Sequence, residues 1–336
     1  MKEYYLYTFL LGAVALIAVL YQYHSSDNLS SEIVIDVKQR NNCSFGSFLL
    51  TGMSFCHHWL TCSDIFREVT DTQLLLGEGT QKIVREGVWR GHAVALNYLK
   101  TDFYVMDFKN DLKLLSYFSK EPKVNQLIGW CIEDLEFPII ITEKHPLGSP
   151  NKLENLFEKF PNLNTITFRF MLCVQYLEIL AFLHTSTEGP FVMCDSNDPE
   201  KALSQLLLTN NLTLVINDMD AVPQVIRHNG TLIKCGHAQL FGDLVAPEQL
   251  WPFENLPFND TAMHSYDEKV DIWKIPDVCN YLIGNGPGSS ILKLHLFNIH
   301  SKCKETDPIK RPTVETVLES YLSIKKMLEK NFIKIS

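Results

Sequence analysis

The chain has 336 residues, of which 46% are hydrophobic, and a formal net charge of -9. These values are typical of a globular protein with a packed core and exclude an intrinsically disordered chain. Because the charge is negative and no basic block interrupts it, the composition also excludes a general nucleic-acid surface, and we predict no nucleic-acid partner.

An uncharged, apolar segment occupies residues 4–21 and carries tyrosines at both ends. At about 1.5 Å per residue, a helix of this length approaches the roughly 30 Å hydrocarbon thickness of a bilayer, and tyrosines suit its interfaces. We therefore predict a single N-terminal transmembrane signal anchor, preceded by a cytosolic tail of residues 1–3. A cleaved signal peptide is the alternative.

Cysteines and glycosylation sequons follow the anchor. Cys43, Cys56 and Cys62 cluster within residues 22–71, which we interpret as a luminal stem pinned by a disulfide. The nine cysteines are an odd number, so at least one thiol is free, and Cys173 is expected in the core. Sequons of the form N-x-[ST] begin at Asn28, Asn42, Asn211, Asn229 and Asn259. Both features favour a luminal location for the chain beyond the anchor.

A glycine-rich segment lies near the start of the next region. Gly77 and Gly79 are spaced as in loops whose backbone N–H groups approach phosphate oxygens. The following apolar segment, A-V-A-L-N, ends at Asn97, so the strand lysine of a kinase nucleotide site is missing. Lys82 stands on the neighbouring predicted strand, under the glycine loop, and we predict that it supplies this charge. A solvent-exposed strand lysine is the alternative.

A helix and an interlobe hinge are predicted next. The apolar spacing over residues 102–118 indicates a helix packed on a small sheet. No glutamate stands where the usual partner of the nucleotide-site lysine is expected, and Asp111 and Asp107 are the possible substitutes. Residues 137–148 predict a buried strand that runs into the hinge, and we expect the backbone around Glu143 to bind the adenine edge.

Two aspartates follow apolar runs within residues 191–221, a pattern that predicts strand, loop, strand, turn and strand. Phosphoryl transfer needs one carboxylate to accept the hydroxyl proton and another to hold Mg²⁺ on the phosphates. M-C-D ends at Asp195 where kinases carry H-R-D, and D-M-D begins at Asp218 where they carry D-F-G. We predict that Asp195 is the general base and Asp218 a metal ligand. Gln205 is the predicted second ligand, with Asn197 as its competitor.

The C-terminal part carries motifs that are structural in kinases. Glu248 lies in A-P-E and Arg311 in D-P-x-x-R-P, and we predict that they form a buried ion pair. Asp271 begins D-x-W and is predicted to hold the backbone of the catalytic loop. Residues 284–290 are too few for the helix that commonly docks peptide substrates.

These motifs, in this order, resemble the protein kinases. The resemblance implies an α+β, bilobal protein-kinase-like fold over residues 72–330, preceded by the transmembrane helix. The N-lobe is expected at about residues 72–143 and the C-lobe at about residues 149–330.

Three longer strings carry a closer resemblance: V-M-C-D-S-N-D from Val192, A-P-E-Q-L-W-P from Ala246 and S-Y-D-E-K-V-D-I-W-K-I-P from Ser265. They resemble the protein O-mannose kinase family, whose members are type II proteins of the endoplasmic reticulum membrane with a luminal catalytic domain. The resemblance implies a glycan kinase that uses ATP and Mg²⁺. Its implied acceptor is the 6-hydroxyl of O-linked mannose in the GalNAc-GlcNAc-Man trisaccharide of α-dystroglycan, a step in laminin-binding glycan synthesis.

Two other functions stay open at this point. A catalytically inactive luminal pseudokinase scaffold is favoured by the missing strand lysine and helix glutamate. A secretory-pathway kinase acting on Ser, Thr or Tyr is disfavoured by the short segment at residues 284–290.

Overall fold

The computed structural model describes residues 43–132, 138–227, 230–236, 238–253 and 255–333, with side chains as far as residue 328. The chain divides into two compact units, one ending at Trp59 and the other beginning at Leu60. The predicted tail and anchor, residues 1–21, lie outside the described residues. So do the sequons at Asn28, Asn42 and Asn229.

The described part of the first unit is a short two-stranded segment. Strands β1 (Ser47–Phe48) and β2 (His57–His58) pair antiparallel. A disulfide joins Cys43 to Cys56 and closes the segment. The prediction of a disulfide among the stem cysteines is thereby confirmed.

An antiparallel sheet of five strands opens the second unit, in the order β3-β4-β5-β7-β6. Its strands are β3 (Val69–Glu78), β4 (Lys82–Trp89), β5 (His92–Leu99), β6 (Leu127–Cys131) and β7 (Ile139–Glu143). Helix α1 (Cys62–Glu68) precedes the sheet, and the Cys62–Cys131 disulfide ties it to β6. The sheet begins at Val69, before the start predicted at residue 72.

Helices and a small second sheet form the rest of the unit. Helix α2 (Val105–Tyr117) confirms the helix predicted over residues 102–118, after a single 3₁₀ turn. The remaining elements are α3 (Leu153–Lys159), α4 (Ile166–His184), α5 (Pro199–Ser204), β8 (Leu206–Leu208), β9 (Leu214–Ile216), α6 (Lys269–Ile283), α7 (Ser289–Cys303) and α8 (Val314–Ile333). Together the two parts make the α+β architecture that the sequence predicts.

Helix α4 is the central core helix of this unit. The Thr165 hydroxyl caps it by accepting the Phe168 N–H at 3.1 Å. Among the described residues it is the one helix long and apolar enough to cross a membrane, yet 61% of its most apolar window is buried within the protein. Its apolar character follows from packing between α6 and α8.

The segment at residues 191–221 departs from the predicted strand, loop and strand. Phe191 forms only an isolated bridge with Gln224, because Pro223 between the paired stretches has no N–H to continue a ladder. The predicted loop also contains α5, which the sequence analysis missed. A helix-start signal was present, since Asp198 accepts the Lys201 N–H at 2.8 Å and Pro199 occupies the first helical position.

Two ionic groups predicted from the C-terminal motifs are present, and the first of them fixes the loop that leads to the predicted base. Asp271 Oδ2 accepts the Met193 N–H at 3.1 Å, while the Lys274 ammonium donates to the Met193 carbonyl at 2.6 Å and to Asp271 Oδ1 at 2.9 Å. Arg311 donates to both oxygens of Glu248, at 2.5 and 2.8 Å. Both structural predictions from the C-terminal motifs are therefore confirmed.

Candidate active site

A cleft of about 830 Å³ brings most of the predicted site residues together. Gly77, Gly79 and Lys82 line one side, and Asp195 and Asp218 line the other. The turn of the glycine loop is closed by the Gly79 N–H, which donates to the Lys82 carbonyl at 2.9 Å. The cleft therefore places a potential phosphate-binding loop opposite two carboxylates.

Strand register explains how Lys82 reaches this cleft. Lys82 pairs with Leu99, and Val84 pairs with Asn97, so the four side chains lie on one face of the sheet. Lys82 is thus diagonally adjacent to Asn97, the position where the strand lysine is missing. A lysine on β4 can therefore serve the same face of the sheet as a lysine on β5.

Three carboxylates surround the Lys82 ammonium. Its Nζ lies 2.9 Å from Asp111 Oδ2, 2.6 Å from Asp218 Oδ1 and 3.3 Å from Asp220 Oδ2. Asp111, which the sequence left as an alternative to Asp107, is therefore the acidic partner from helix α2. Its other oxygen accepts the Met219 N–H at 3.0 Å, so the same side chain also holds the D-M-D segment.

Burial and charge set the protonation of this cluster. Burial by itself lowers the pKa of Lys82, but the three carboxylates outweigh it and raise that pKa well above its ordinary value. Burial opposes ionisation of Asp218, but Lys82 lowers its pKa overall. Burial and the charge of Asp218 raise the pKa of Asp220 to about 8. Burial likewise raises the pKa of Asp111.

The two other candidates for the missing strand lysine are engaged elsewhere. The Asn97 amide is buried and donates to the Ile140 carbonyl at 3.1 Å and to Thr142 Oγ1 at 3.2 Å. Lys100 binds Glu78 at 2.6 Å, on the opposite face from Asn97, as the strand period predicts. Lys82 is therefore the lysine that contacts the metal-ligand candidate.

Asp195 lies at the end of the fixed loop and contacts two side chains. The Lys201 ammonium, from α5, is 2.7 Å from Asp195 Oδ2, and the Gln205 amide nitrogen is 3.3 Å from the same oxygen. Gln205 is buried, and its main-chain carbonyl accepts the N–H groups of Asn217 and Asp218. These bonds join the end of α5 to the start of the D-M-D segment.

Asn197 lines the cleft, and the amide nitrogen of Gln205 donates to Asp195 Oδ2. The second metal ligand, Gln205 or Asn197, stays a prediction. The Asn197 carbonyl accepts the Leu244 N–H at 3.0 Å. A β-carbon at Gly242, whose φ is +130°, would lie 2.3 Å from that carbonyl oxygen. Only glycine therefore permits this close approach.

Glu143 is placed at the end of β7, but its backbone is already bonded. Its N–H donates to the Gln126 carbonyl at 2.9 Å, and its carbonyl accepts the Asn125 amide at 3.1 Å. The lining of the cleft near the hinge comes instead from residues 146–149. A contact between Glu143 and adenine stays a prediction.

A disulfide joins the catalytic loop to the segment after D-M-D. It links Cys194, next to the predicted base, to Cys235. Cys173, Cys279 and Cys303 are buried free thiols, as the sequence predicts for Cys173. The sequence analysis missed this pairing, because cysteine counting does not specify partners.

The oxygen donors at the cleft fit a magnesium ion. Across the described residues no group of three or more His, Cys, Asp or Glu side chains is arranged to hold a metal by itself. Mg²⁺ in phosphate sites usually takes one or two carboxylates and completes its shell with phosphates and water. Asp218 supplies such a carboxylate, and the buried Oδ1 of Asp220 has no hydrogen-bond partner among the described residues.

Comparison with known proteins identifies the family. No protein-family model matches the chain. It is 44% identical over 286 residues to protein O-mannose kinase of Macaca fascicularis, covering 84% of the chain and 80% of that protein. The corresponding protein of Gallus gallus is 44% identical over 85% of the chain and 80% of its own length. That of Xenopus laevis is 43% identical over 86% of the chain and 82% of its own length. The chain is accordingly an ATP-dependent phosphotransferase, and it belongs to the protein O-mannose kinase family.

Proposed function

We propose that the chain transfers the γ-phosphoryl group of ATP to the 6-hydroxyl of O-linked mannose. The proposed acceptor is the GalNAc-GlcNAc-Man trisaccharide of α-dystroglycan, and the product serves laminin-binding glycan synthesis. Relatives named protein O-mannose kinase, at up to 44% identity, support this acceptor class. The short connection between α6, which ends at Ile283, and α7, which begins at Ser289, supports a non-peptide acceptor, because it contains no docking helix.

One observation carries the proposal that the site is catalytically competent: Lys82 contacts both Asp111 and Asp218 within the cleft. This arrangement supplies the cation whose absence from β5 favoured a scaffold. Lys82 and the backbone around Gly77 and Gly79 would stabilise negative charge on the phosphates.

Each remaining residue has a proposed part in the transfer. Asp195 accepts the proton of the mannose hydroxyl as its oxygen attacks the γ-phosphorus. Asp218, with Gln205 or Asn197, would hold Mg²⁺, which when bound neutralises charge on the phosphates.

The proposed location is the endoplasmic reticulum membrane, with residues 4–21 as a single type II anchor and the catalytic domain luminal. Three disulfides among the described residues support an oxidising compartment. Protease protection of microsomes that contain the full chain, together with endoglycosidase H treatment, tests this topology. A protease-sensitive catalytic domain without glycan would contradict it.

Transfer of ³²P from Mg-ATP to the free trisaccharide tests the activity. We expect incorporation by the wild-type protein and a loss of at least about 100-fold in Lys82→Met and in Asp218→Asn, because each removes charge stabilisation at the phosphates. Lys310→Met is the matched control, since Lys310 is exposed and lies away from the cleft, and it should retain activity.

Two outcomes would overturn the proposal. A folded wild-type protein that labels neither glycan nor peptide would indicate a scaffold. Labelling of a Ser, Thr or Tyr peptide without labelling of the trisaccharide would indicate a protein kinase.

A further inference from the structure

Helix α5 brings a lysine to the predicted base from a position further along the chain. Asp198 caps the helix through the Lys201 N–H at 2.8 Å, and Pro199 fixes its first turn. From this helix the Lys201 side chain reaches the predicted base, and the Lys201 ammonium lies 2.7 Å from Asp195 Oδ2. Lys201 also lines the cleft.

Lys82 and Lys201, two of the lysines that line the cleft, differ in their freedom to contact a ligand. Lys82 is buried and bound by three carboxylates, so its position is fixed. The Lys201 side chain is 43% exposed, and among the described residues its ammonium is paired with Asp195 alone. Burial lowers the pKa of Lys201, but its bond to Asp195 and the charges of Asp218 and Asp220 raise that pKa overall, so the side chain stays cationic.

Lys201 also lines the same cleft as both ends of the expected reaction path, Asp195 and the Lys82–Asp218 pair. The acceptor hydroxyl must reach Asp195, and the phosphates must lie against Lys82 and Asp218. The γ-phosphoryl group must cross the cleft between these groups, and the Lys201 ammonium lies in that cleft beside Asp195. A mobile cation at this place meets the oxygens on which negative charge is spread during transfer.

We propose that Lys201 is a catalytic residue that binds the γ-phosphoryl group of ATP during transfer. The proposal rests on the proposed function above, because it takes Asp195 as the base. The acceptor oxygen forms its bond to the γ-phosphorus, and the bond from that phosphorus to the β,γ-bridging oxygen breaks. ADP leaves with the electron pair, the hydroxyl proton passes to Asp195, and Lys201 keeps its proton.

The competing role for Lys201 is a structural one, in which it only holds the Asp195 carboxylate in position. The two roles predict different nucleotide binding. A γ-phosphoryl contact discriminates a triphosphate from ADP, whereas a pin on Asp195 affects both nucleotides alike.

Isothermal titration calorimetry with MgCl₂ and either ADP or the β,γ-imido analogue of ATP separates these roles. We expect Lys201→Met to bind the analogue about 10- to 100-fold more weakly than the wild type, which is the usual worth of a charge-assisted hydrogen bond. ADP affinity should stay within about twofold, as expected where no contact is removed. Lys201→Arg should retain most of the analogue affinity. Lys310→Met, at an exposed lysine away from the cleft, is the matched control.

An unchanged ratio of the two affinities in Lys201→Met would overturn the proposal. Retained ADP binding shows that the Lys201→Met protein is folded. If Lys201→Met does not fold, Lys201→Gln is measured in the same way in its place. No acceptor is present in this experiment, so failure of wild-type protein to label the trisaccharide would contradict the proposed function without deciding the role of Lys201.

Discussion

Two buried ionic groups of the second unit differ in how their charges are matched. Arg311 is held by both oxygens of Glu248, one cation to one anion. In the cleft, Lys82 alone faces Asp111, Asp218 and Asp220, and one oxygen of Asp220 has no partner within the described residues. The scaffold pair is complete in the free protein, whereas the cleft cluster has three carboxyl groups around one ammonium.

This difference teaches which group serves stability and which serves ligand binding. Removing either partner of a matched buried pair lowers the stability of the fold, because the other partner is left as an unpaired buried charge. An unmatched cluster costs stability and is relieved by a cation, an arrangement typical of functional sites. Substitutions should therefore affect activity in the cleft and folding in the scaffold.

The largest effect is expected in the cleft, from Asp195→Asn. Loss of the base should lower kcat by about 10²- to 10⁴-fold, since general base catalysis contributes this much. The melting temperature should not change, because Asp195 is partly exposed. Steady-state ³²P transfer and a thermal melt measure both, with the exposed Asp243→Asn as control. Activity within threefold of wild type would remove Asp195 from the role of base.

Arg311→Met tests the scaffold side of the comparison. It leaves Glu248 without its partner, and we expect a loss of about 3–5 kcal/mol in the free energy of unfolding. Urea denaturation followed by tryptophan fluorescence measures this loss. Lys310→Met, at an exposed neighbour, should leave stability unchanged. An equally stable Arg311 variant would show that the pair does not hold the fold.

The Cys194–Cys235 disulfide lies beside the predicted base and closes a chain separation of 41 residues. Replacing both cysteines by alanine should cost about 2–4 kcal/mol of stability by releasing constraint on the unfolded chain. The double variant Cys43→Ala with Cys56→Ala, which removes the disulfide of the first unit, is the comparison. Urea denaturation of both proteins measures the free energy of unfolding. A Cys194–Cys235 variant as stable as the wild type would contradict the expectation.

The smallest effect, Asp220→Asn, should be stabilising. The pKa of Asp220 is about 8 in the folded protein, against an ordinary value of 3.8, so folding favours the protonated form. Its contribution to stability is present below pH 3.8 and is lost as the pH rises through 8. Asparagine has no such charge to bury, and we expect a gain of about 1 kcal/mol at pH 8.5 that shrinks towards pH 5. Thermal melts at both pH values test it, and a variant less stable than wild type at pH 8.5 would refute the unmatched-charge interpretation.

The sequence by itself determined the parts of this protein that depend on local order. The glycine loop before Lys82, the acidic residues after apolar runs at Asp195 and Asp218, and the helix at residues 102–118 follow from spacing and periodicity. The Glu248–Arg311 pair was also predictable, because its two motifs mark fixed places in a known architecture. Period-2 alternation correctly separated Lys100 from the cleft.

Only the tertiary structure decided which of these residues meet. Lys82 bonds Asp111 and Asp218, which are 29 and 136 positions away, and no local pattern selects Asp111 over Asp107. The Cys194–Cys235 pairing and the contact of Lys201 with Asp195 likewise depend on how chain segments are folded against each other. Local propensity sets the elements, whereas strand register and helix orientation bring distant side chains within bonding distance.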